Sequence, residues 1–270
     1  MPAFNSIPAN VLMRRIGTPE CPVIVDVRID ADFSDDPHLI PISYRWPHNH
    51  IHDLCAQLQG KEVLIVCQKG LKLSHGAAAV LRSAGVPAQV LEGGMFAWRD
   101  AKFPTINPTV LPEMSDGQSS WVTRHRPKVD RIACAWLIRR FVDPKARFLF
   151  VPPSEVDAVA DKFAATAFDT VNAPWTHEGE LCTFDAMIRD IGLLTPALEQ
   201  MATVIRAADT DCHDLAPQAA GLMAISVGLS RAYKSDLDQL DAGMILYDAL
   251  YRWARDGQGE QHTWSEGHGA

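Results

Sequence analysis

Apolar residues fall in short unbroken runs through the first third of the chain and at helical spacing through the last third. The runs at 21–27, 62–66 and 89–91 are rich in β-branched residues and bounded by proline or glycine, which predicts buried strands. Between them, 53–59 and 74–84 read as helices stopped by Gly60 and Gly85. Strands alternating with helices predict a parallel sheet with helices on both faces. Residues 101–120 break this pattern with three prolines and a small, polar end, the composition of a linker. Beyond them, a helix is predicted over 128–141, apolar at Ile132, Ala135, Trp136 and Ile138 and ended by Asp143-Pro144, followed by a strand over 147–151. Further helices are predicted over 197–208, 216–233 and 236–255. The last aligns Leu240, Met244, Tyr247, Leu250 and Tyr251 in one stripe. The expected fold is α/β: an N-terminal parallel sheet flanked by helices, then a second, mixed α/β, mainly helical domain. The divisions are 1–106, a linker over 107–120, a second domain over 121–256, and a polar, glycine-rich tail over 257–270 expected to be disordered.

With 270 residues and 47% hydrophobic positions, the chain is long enough for two cores. A formal net charge of -8 argues against nucleic acid and anionic membrane surfaces as partners. No run approaches the roughly 18 apolar residues of a membrane span, and Met1-Pro2-Ala3-Phe4-Asn5 lacks the basic and apolar segments of a secretory leader. The six cysteines (21, 55, 67, 134, 182 and 212) are scattered, with no C-x-x-C. This favours a reducing, cytoplasmic setting in which thiols are available for chemistry.

One thiol is set apart by its surroundings. Cys67 ends the apolar run 62–66 and opens the segment Gln68-Lys69-Gly70-Leu71-Lys72-Leu73-Ser74, which leads into a helix. The carboxyl end of a strand in an open α/β sheet is where ligands sit. Loop amides and a helix N-terminus favour negative charge there, and two lysines add to it. Such surroundings stabilise a thiolate or persulfide. Cys-x-x-Gly-x-Lys, preceded by Asp26-Val27-Arg28 and followed by Leu91-Glu92-Gly93-Gly94 and Trp98, resembles a rhodanese domain over about 5–104. The resemblance implies a sulfurtransferase with no cofactor, in which Cys67 accepts sulfane sulfur from a small donor such as thiosulfate and passes it to cyanide or a thiol. It assigns Cys67, Lys69 and Lys72 to catalysis. Substrate binding falls to Gln68, Gly70, Leu71, Leu73 and Arg28, although for Arg28 a structural ion pair with Asp26 is the plainer reading. Trp98 is expected in the core. The chain departs from the rhodanese pattern after Asp32, where His38-Leu39-Ile40-Pro41 replaces the usual Gly-His-Ile, and at Lys72, where arginine is commoner.

The second region contains Trp121-Val-Thr-Arg-His-Arg-Pro-Lys-Val-Asp-Arg-Ile-Ala-Cys-Ala-Trp-Leu-Ile-Arg-Arg140, Thr176-His-Glu-Gly, Cys182-Thr-Phe-Asp185, Arg206-Ala-Ala-Asp209 and Leu246-Tyr-Asp-Ala-Leu-Tyr-Arg-Trp253. It is similar to the C-terminal domain of the chromate resistance protein ChrB, which implies a link to chromate or oxidative stress. Potential metal ligands gather here: His125, Asp130, His177, Glu178, Asp185, Asp209, Asp211 and His213. Mixed imidazole and carboxylate sets suit zinc, iron or manganese; His177, Glu178 and Asp209 lead this set. Plainer roles compete. Asp143 and Asp185 can cap helices, Asp130 can pair with Arg131 or Arg126, Asp211 and His213 fall in a loop, and Cys134 and Cys182 suit a core. Arg124, His125, Arg126, Lys128 and Arg131 are close enough in sequence to form a pocket for chromate or another oxyanion. His262 and His268 in the tail are read as incidental. The leading expectation is a sulfurtransferase linked to chromate resistance. The alternative is a chromate- or redox-responsive regulator, or a metal-dependent enzyme centred on the second domain.

Overall fold

The computed structural model describes residues 5–114 and 117–260. The first half contains β1 (Ser6–Ile7), α1 (Ala9–Arg15), β2 (Val23–Asp26), α2 (Asp30–Asp35), β3 (Tyr44–Arg45), β4 (Val63–Val66), α3 (Lys72–Ser83), β5 (Ala88–Leu91) and α4 (Gly94–Asp100). Its five strands are all parallel, in the order β1-β5-β4-β2-β3. All four residues of β4 are buried because the strand is central and covered on both faces, which is why its sequence is an apolar run without alternation. Val63, Ile65 and Cys67 face α3 and pack with Ala77, Ala78 and Leu81. Leu64 and Val66 face the opposite way, toward Leu12, Ile16, Met95 and Trp98. Trp98 is wholly buried, with its indole N–H donating to the Pro104 carbonyl at 2.9 Å.

The second half contains β6 (Ser120–Arg124), α5 (Val129–Leu137), β7 (Arg147–Val151), α6 (Val156–Phe163), β8 (Thr166–Ala167), α7 (Thr183–Ile191), α8 (Pro196–Asp209), α9 (Ala219–Ala232) and α10 (Asp236–Asp256). Its three strands are parallel, in the order β7-β6-β8. Every residue of α5 except Arg131 is buried, since the helix lies among α7, α8 and α10. Val122 of β6 packs with Val156 of α6 on the other face.

Two predicted helices differ in kind. Where a helix was expected over 53–59, a 3-10 helix runs His48–Leu54 and hydrogen-bonded turns continue to Gly60. The buried residues Ile51 and Leu54 are three apart, the spacing that a three-residue turn aligns. The helix expected over 128–141 is α-helical only to Leu137 and then widens into a π turn, Ile138–Val142. There the Phe141 carbonyl accepts the amide of Ile42 from the first half.

That contact is one of many across the junction. A single apolar core takes Leu12, Ile16 and Trp98 from the first half and Trp136, Phe141 and Tyr251 from the second. Gly17, in the left-handed region at φ 78°, lies so close that a Cβ there would sit 2.4 Å from Phe141 Cζ and 2.8 Å from Tyr251 Cε1. Within the proline-rich stretch, Ile106 exchanges backbone hydrogen bonds with Leu39 (2.8 and 2.9 Å), and Leu111 packs on the shared core. Residues 257–260 form a turn; the rest of the expected disordered tail, with His262 and His268, lies outside the described residues.

Candidate functional sites at the two sheet ends

Cys67 follows β4 directly and is 4% exposed. Its thiol donates to Ser74 Oγ at 3.2 Å, and the Ser74 hydroxyl donates to the Leu71 carbonyl at 3.0 Å. The loop is shaped by a second turn pressed against it. The Cys67 and Gln68 carbonyls accept the amides of Met95 and Phe96 at 3.0 and 3.1 Å. Gly70 has φ 65°, and a Cβ there would meet the Leu91 carbonyl oxygen at 2.5 Å and Gly94 N at 2.7 Å. On Gly94 it would meet the Cys67 carbonyl oxygen at 2.2 Å. These contacts supply the reason for Gly70 and Gly94 in the sequence: two backbones meet where no side chain fits.

Among the described residues, the amides from Gln68 to Leu73 have no intramolecular acceptor. Lys69 and Lys72 are exposed and form no ion pair there. Leu71 is exposed, Gln68 and Leu73 are half-buried, and Gln68 Oε1 has no hydrogen-bond partner. Arg28 does not share this arrangement. Its side chain is wholly buried, its guanidinium grips Asp26 Oδ2 at 2.6 and 2.8 Å, and its remaining donors reach the Asp36 and His38 carbonyls. Assigned above to substrate binding, Arg28 is instead a staple between the end of β2 and the segment after α2, with its donors engaged by protein acceptors. Ser74 was quoted with the loop but given no role; its hydroxyl is the polar group nearest the thiol in the hydrogen-bond network.

The second constellation forms at the carboxyl end of the other parallel sheet. Asp130, 1% exposed, starts α5 just beyond β6 and accepts the first two amides of α7, Thr183 at 2.7 Å and Phe184 at 3.0 Å. Asp169 follows β8, in the left-handed region at φ 48°, which aspartate enters more readily than most residues. It is held by Arg131 at 2.7 Å, Thr183 Oγ1 at 2.9 Å and Arg124 at 3.4 Å. Asp209 ends α8. His177 Nε2 lies 3.5 Å from Asp130 Oδ2, 3.5 Å from Asp169 Oδ1 and 3.3 Å from Asp209 Oδ2. Asp130, His177 and Asp209 each offer a ligand atom within 4.8 Å of the others, so they could hold a metal ion.

The charges of this cluster are coupled. Hydrogen bonding to Asp130 and Asp169 pushes His177 up to about 10. Burial, with the charges of Asp130 and Asp169, pushes Asp209 up to about 6. Burial raises Asp169 too, but His177, Arg131 and Thr183 outweigh it and hold the carboxyl below its ordinary range. Burial, reinforced by Asp130, drives the thiols of Cys134 and Cys182 far upward, so both are neutral core groups.

Of the expected metal set, His177 and Asp209 come together and Glu178 does not. Glu178 points to the surface in a two-pronged pair with Arg189 at 2.7 and 2.9 Å. Its place is taken by Asp130, which makes no pair with Arg131 or Arg126. Asp185 completes the N-terminal cap of α7 and binds Arg206, while Asp211 and His213 pair with each other. Asp143 caps the carboxyl end of the π turn, its amide donating to the Ile138 carbonyl at 2.8 Å, while its carboxylate accepts from Ser119 and from the Lys145 amide. Nor do the five basic residues of 124–131 converge on an oxyanion pocket. Arg124 and Arg131 hold Asp169, Arg126 reaches the Ser230 and Tyr233 carbonyls, and His125 and Lys128 are exposed.

Residues 9–101 match the family model for rhodanese-like domains and residues 121–254 that for the ChrB C-terminal domain. Protein ChrB of Cupriavidus metallidurans is 35% identical over 132 residues, covering 48% of this chain and 39% of that protein. The adenylyltransferase and sulfurtransferase of Yarrowia lipolytica is 31% identical over 86 residues, covering 30% of this chain and 22% of that one. This chain therefore spans well under half the length of both relatives. A rhodanese-like domain protein of Staphylococcus aureus is 29% identical with a TM-score of 0.32, covering 35% of this chain and 91% of its own.

Proposed function

Because the chain joins a rhodanese-like domain over 9–101 to a ChrB C-terminal domain over 121–254, we propose that it is a sulfurtransferase acting through Cys67 in the service of chromate resistance. In the first step, the Cys67 thiolate attacks the outer sulfur of thiosulfate or a similar donor. A Cys67 persulfide forms as the donor's S–S bond breaks, and sulfite leaves with the bonding pair. In the second, cyanide or a thiolate attacks the terminal persulfide sulfur, giving thiocyanate or a new persulfide and restoring the Cys67 thiolate. No cofactor takes part in either step.

The observation that carries this reading is the Cys67 loop itself. A thiol at the end of a central parallel strand is followed by the start of α3, by amides that find no acceptor among the described residues and by two lysines that pair with none of them. Free amides and a helix N-terminus suit an anionic terminal sulfur, and Lys69 and Lys72 suit a doubly charged donor. Ser74 Oγ can accept from the thiol or donate to the thiolate. Six unpaired cysteines accord with work in a reducing compartment, the cytoplasm, and no described helix is long and apolar enough to cross a membrane.

The test is thiocyanate formation from thiosulfate and cyanide by the purified chain and by Cys67→Ser. Turnover is expected in the first and none above background in the second. Mass spectrometry after donor alone should find one added sulfur on Cys67. Turnover surviving in Cys67→Ser, or a parent chain inert with sulfane donors, would overturn the reading.

A further inference from the structure

The carboxylate and imidazole cluster of the second half takes no part in sulfur transfer, and its geometry points to a divalent-cation site in which Asp130, His177 and Asp209 are the ligands. The spacing is the first reason. A cation about 2.1 Å from each ligand separates neighbouring ligands by about 3.0 Å in an octahedron and about 3.4 Å in a tetrahedron. His177 Nε2 lies 3.3 Å from Asp209 Oδ2 and 3.5 Å from Asp130 Oδ2. These distances match ligand-to-ligand spacings around one ion. As hydrogen bonds they are stretched beyond the charge-assisted range of about 2.7–2.9 Å, so an ion bound there takes the place of the imidazole proton that those contacts hold. One N–H, moreover, has a single proton to direct at three carboxylate oxygens, whereas a point charge between the groups serves all its ligands at once.

An unpartnered buried group supplies a second reason. Thr123 is wholly buried and its Oγ1 has no hydrogen-bond partner. By strand alternation it shares the face of β6 with Trp121, which packs toward α5, and it stands near the strand end from which Asp130 follows. A polar group left there suits a hydrated ion more than an apolar core.

The remaining contacts fix the ligands in advance. Asp130 is oriented by two α7 amides, outer interactions of the kind that aim metal-binding carboxylates. Asp130 is buried, but the side chains of His177 and Asp209 are 39% and 24% exposed, so the site opens to water on one side. One imidazole with carboxylates suits manganese, ferrous iron or zinc more than calcium or magnesium. The inference is independent of the sulfurtransferase reading: Cys67→Ser should bind the ion unchanged.

Manganese is the chosen probe because thiols compete weakly for it. The chain, stripped with a chelator, is titrated with Mn2+ while the electron paramagnetic resonance signal of free aqueous Mn2+ is followed. One ion bound per chain is expected. His177→Gln and Asp209→Asn should each weaken binding by about tenfold or more, and Glu178→Gln should leave it unchanged. Circular dichroism melts confirm that the variants are folded. A second readout needs no variant: spin-echo modulation from an imidazole nitrogen should appear on Mn2+ bound to the parent chain. No bound Mn2+, binding unaltered by both ligand substitutions, or bound Mn2+ without imidazole modulation would overturn the assignment.

Discussion

A methyl group on Gly94 would lie 2.2 Å from the Cys67 carbonyl oxygen and 2.4 Å from Gly70 N, both backbone atoms that cannot swing aside. Gly94 also holds a φ of 58°, where an L side chain is strained. Gly94→Ala should therefore cost about 1–3 kcal/mol of stability. It should also remove most of the proposed sulfurtransferase activity while leaving Cys67 chemically intact, as a thermal melt and the thiocyanate assay would show. The loop that this residue shapes was legible in the sequence, because an apolar run ending in cysteine, lysines and glycine is continuous along the chain. The cation cluster was only half legible. His177 and Asp209 led the candidate ligands; Asp130 was among them but sits beside Arg131 and near Arg126 in sequence, which favoured an ion pair that it does not make. Glu178, beside His177 in sequence, turns outward to Arg189.

The long helices α8, α9 and α10 were legible, but β6, as long as β7, and the helices α6 and α7 were not expected from the sequence. The strand 147–151 and the last helix follow their hydrophobic periods almost to the residue. The two-residue strands β1, β3 and β8 carry no period at all, and the π turn after α5 arises from contacts that no local pattern records. How α5 docks on α10 illustrates the latter. Asp248 accepts the Trp136 indole N–H at 2.8 Å and both prongs of Arg140 at 2.7 Å, tying the last helix to α5 and its π turn. Asp248→Ala would leave a largely buried guanidinium and an indole N–H unpaired. A loss of about 2–4 kcal/mol is expected, read as a lowered urea midpoint with an unchanged slope. Asp248→Asn, which keeps an acceptor, should recover part of it.

At the scale of the whole molecule, the composition of the proline-rich stretch suggested a connection between two separable halves. What composition does not carry is that residues far apart, such as Gly17, Phe141 and Tyr251, close one core across it. Gly17→Ala tests this. Its Cβ would enter the space of two aromatic rings, so the variant should melt well below the parent. The fall should appear equally in signals from the first half and the second. Separate transitions, with the second half unmoved, would mean that the halves are independent.

The shared core also bears on how the molecule exchanges its amide hydrogens for deuterium. Central strands and helices exchange only through large openings. If the apolar contact between the halves is continuous, β4 beside Cys67 and α5 beside Asp130 are opened by the same event. Their amides should then exchange at one common, slowest rate, and a bound cation in the second half should slow β4 as well. Occupancy of one sheet end would thereby be written into the protection of the other.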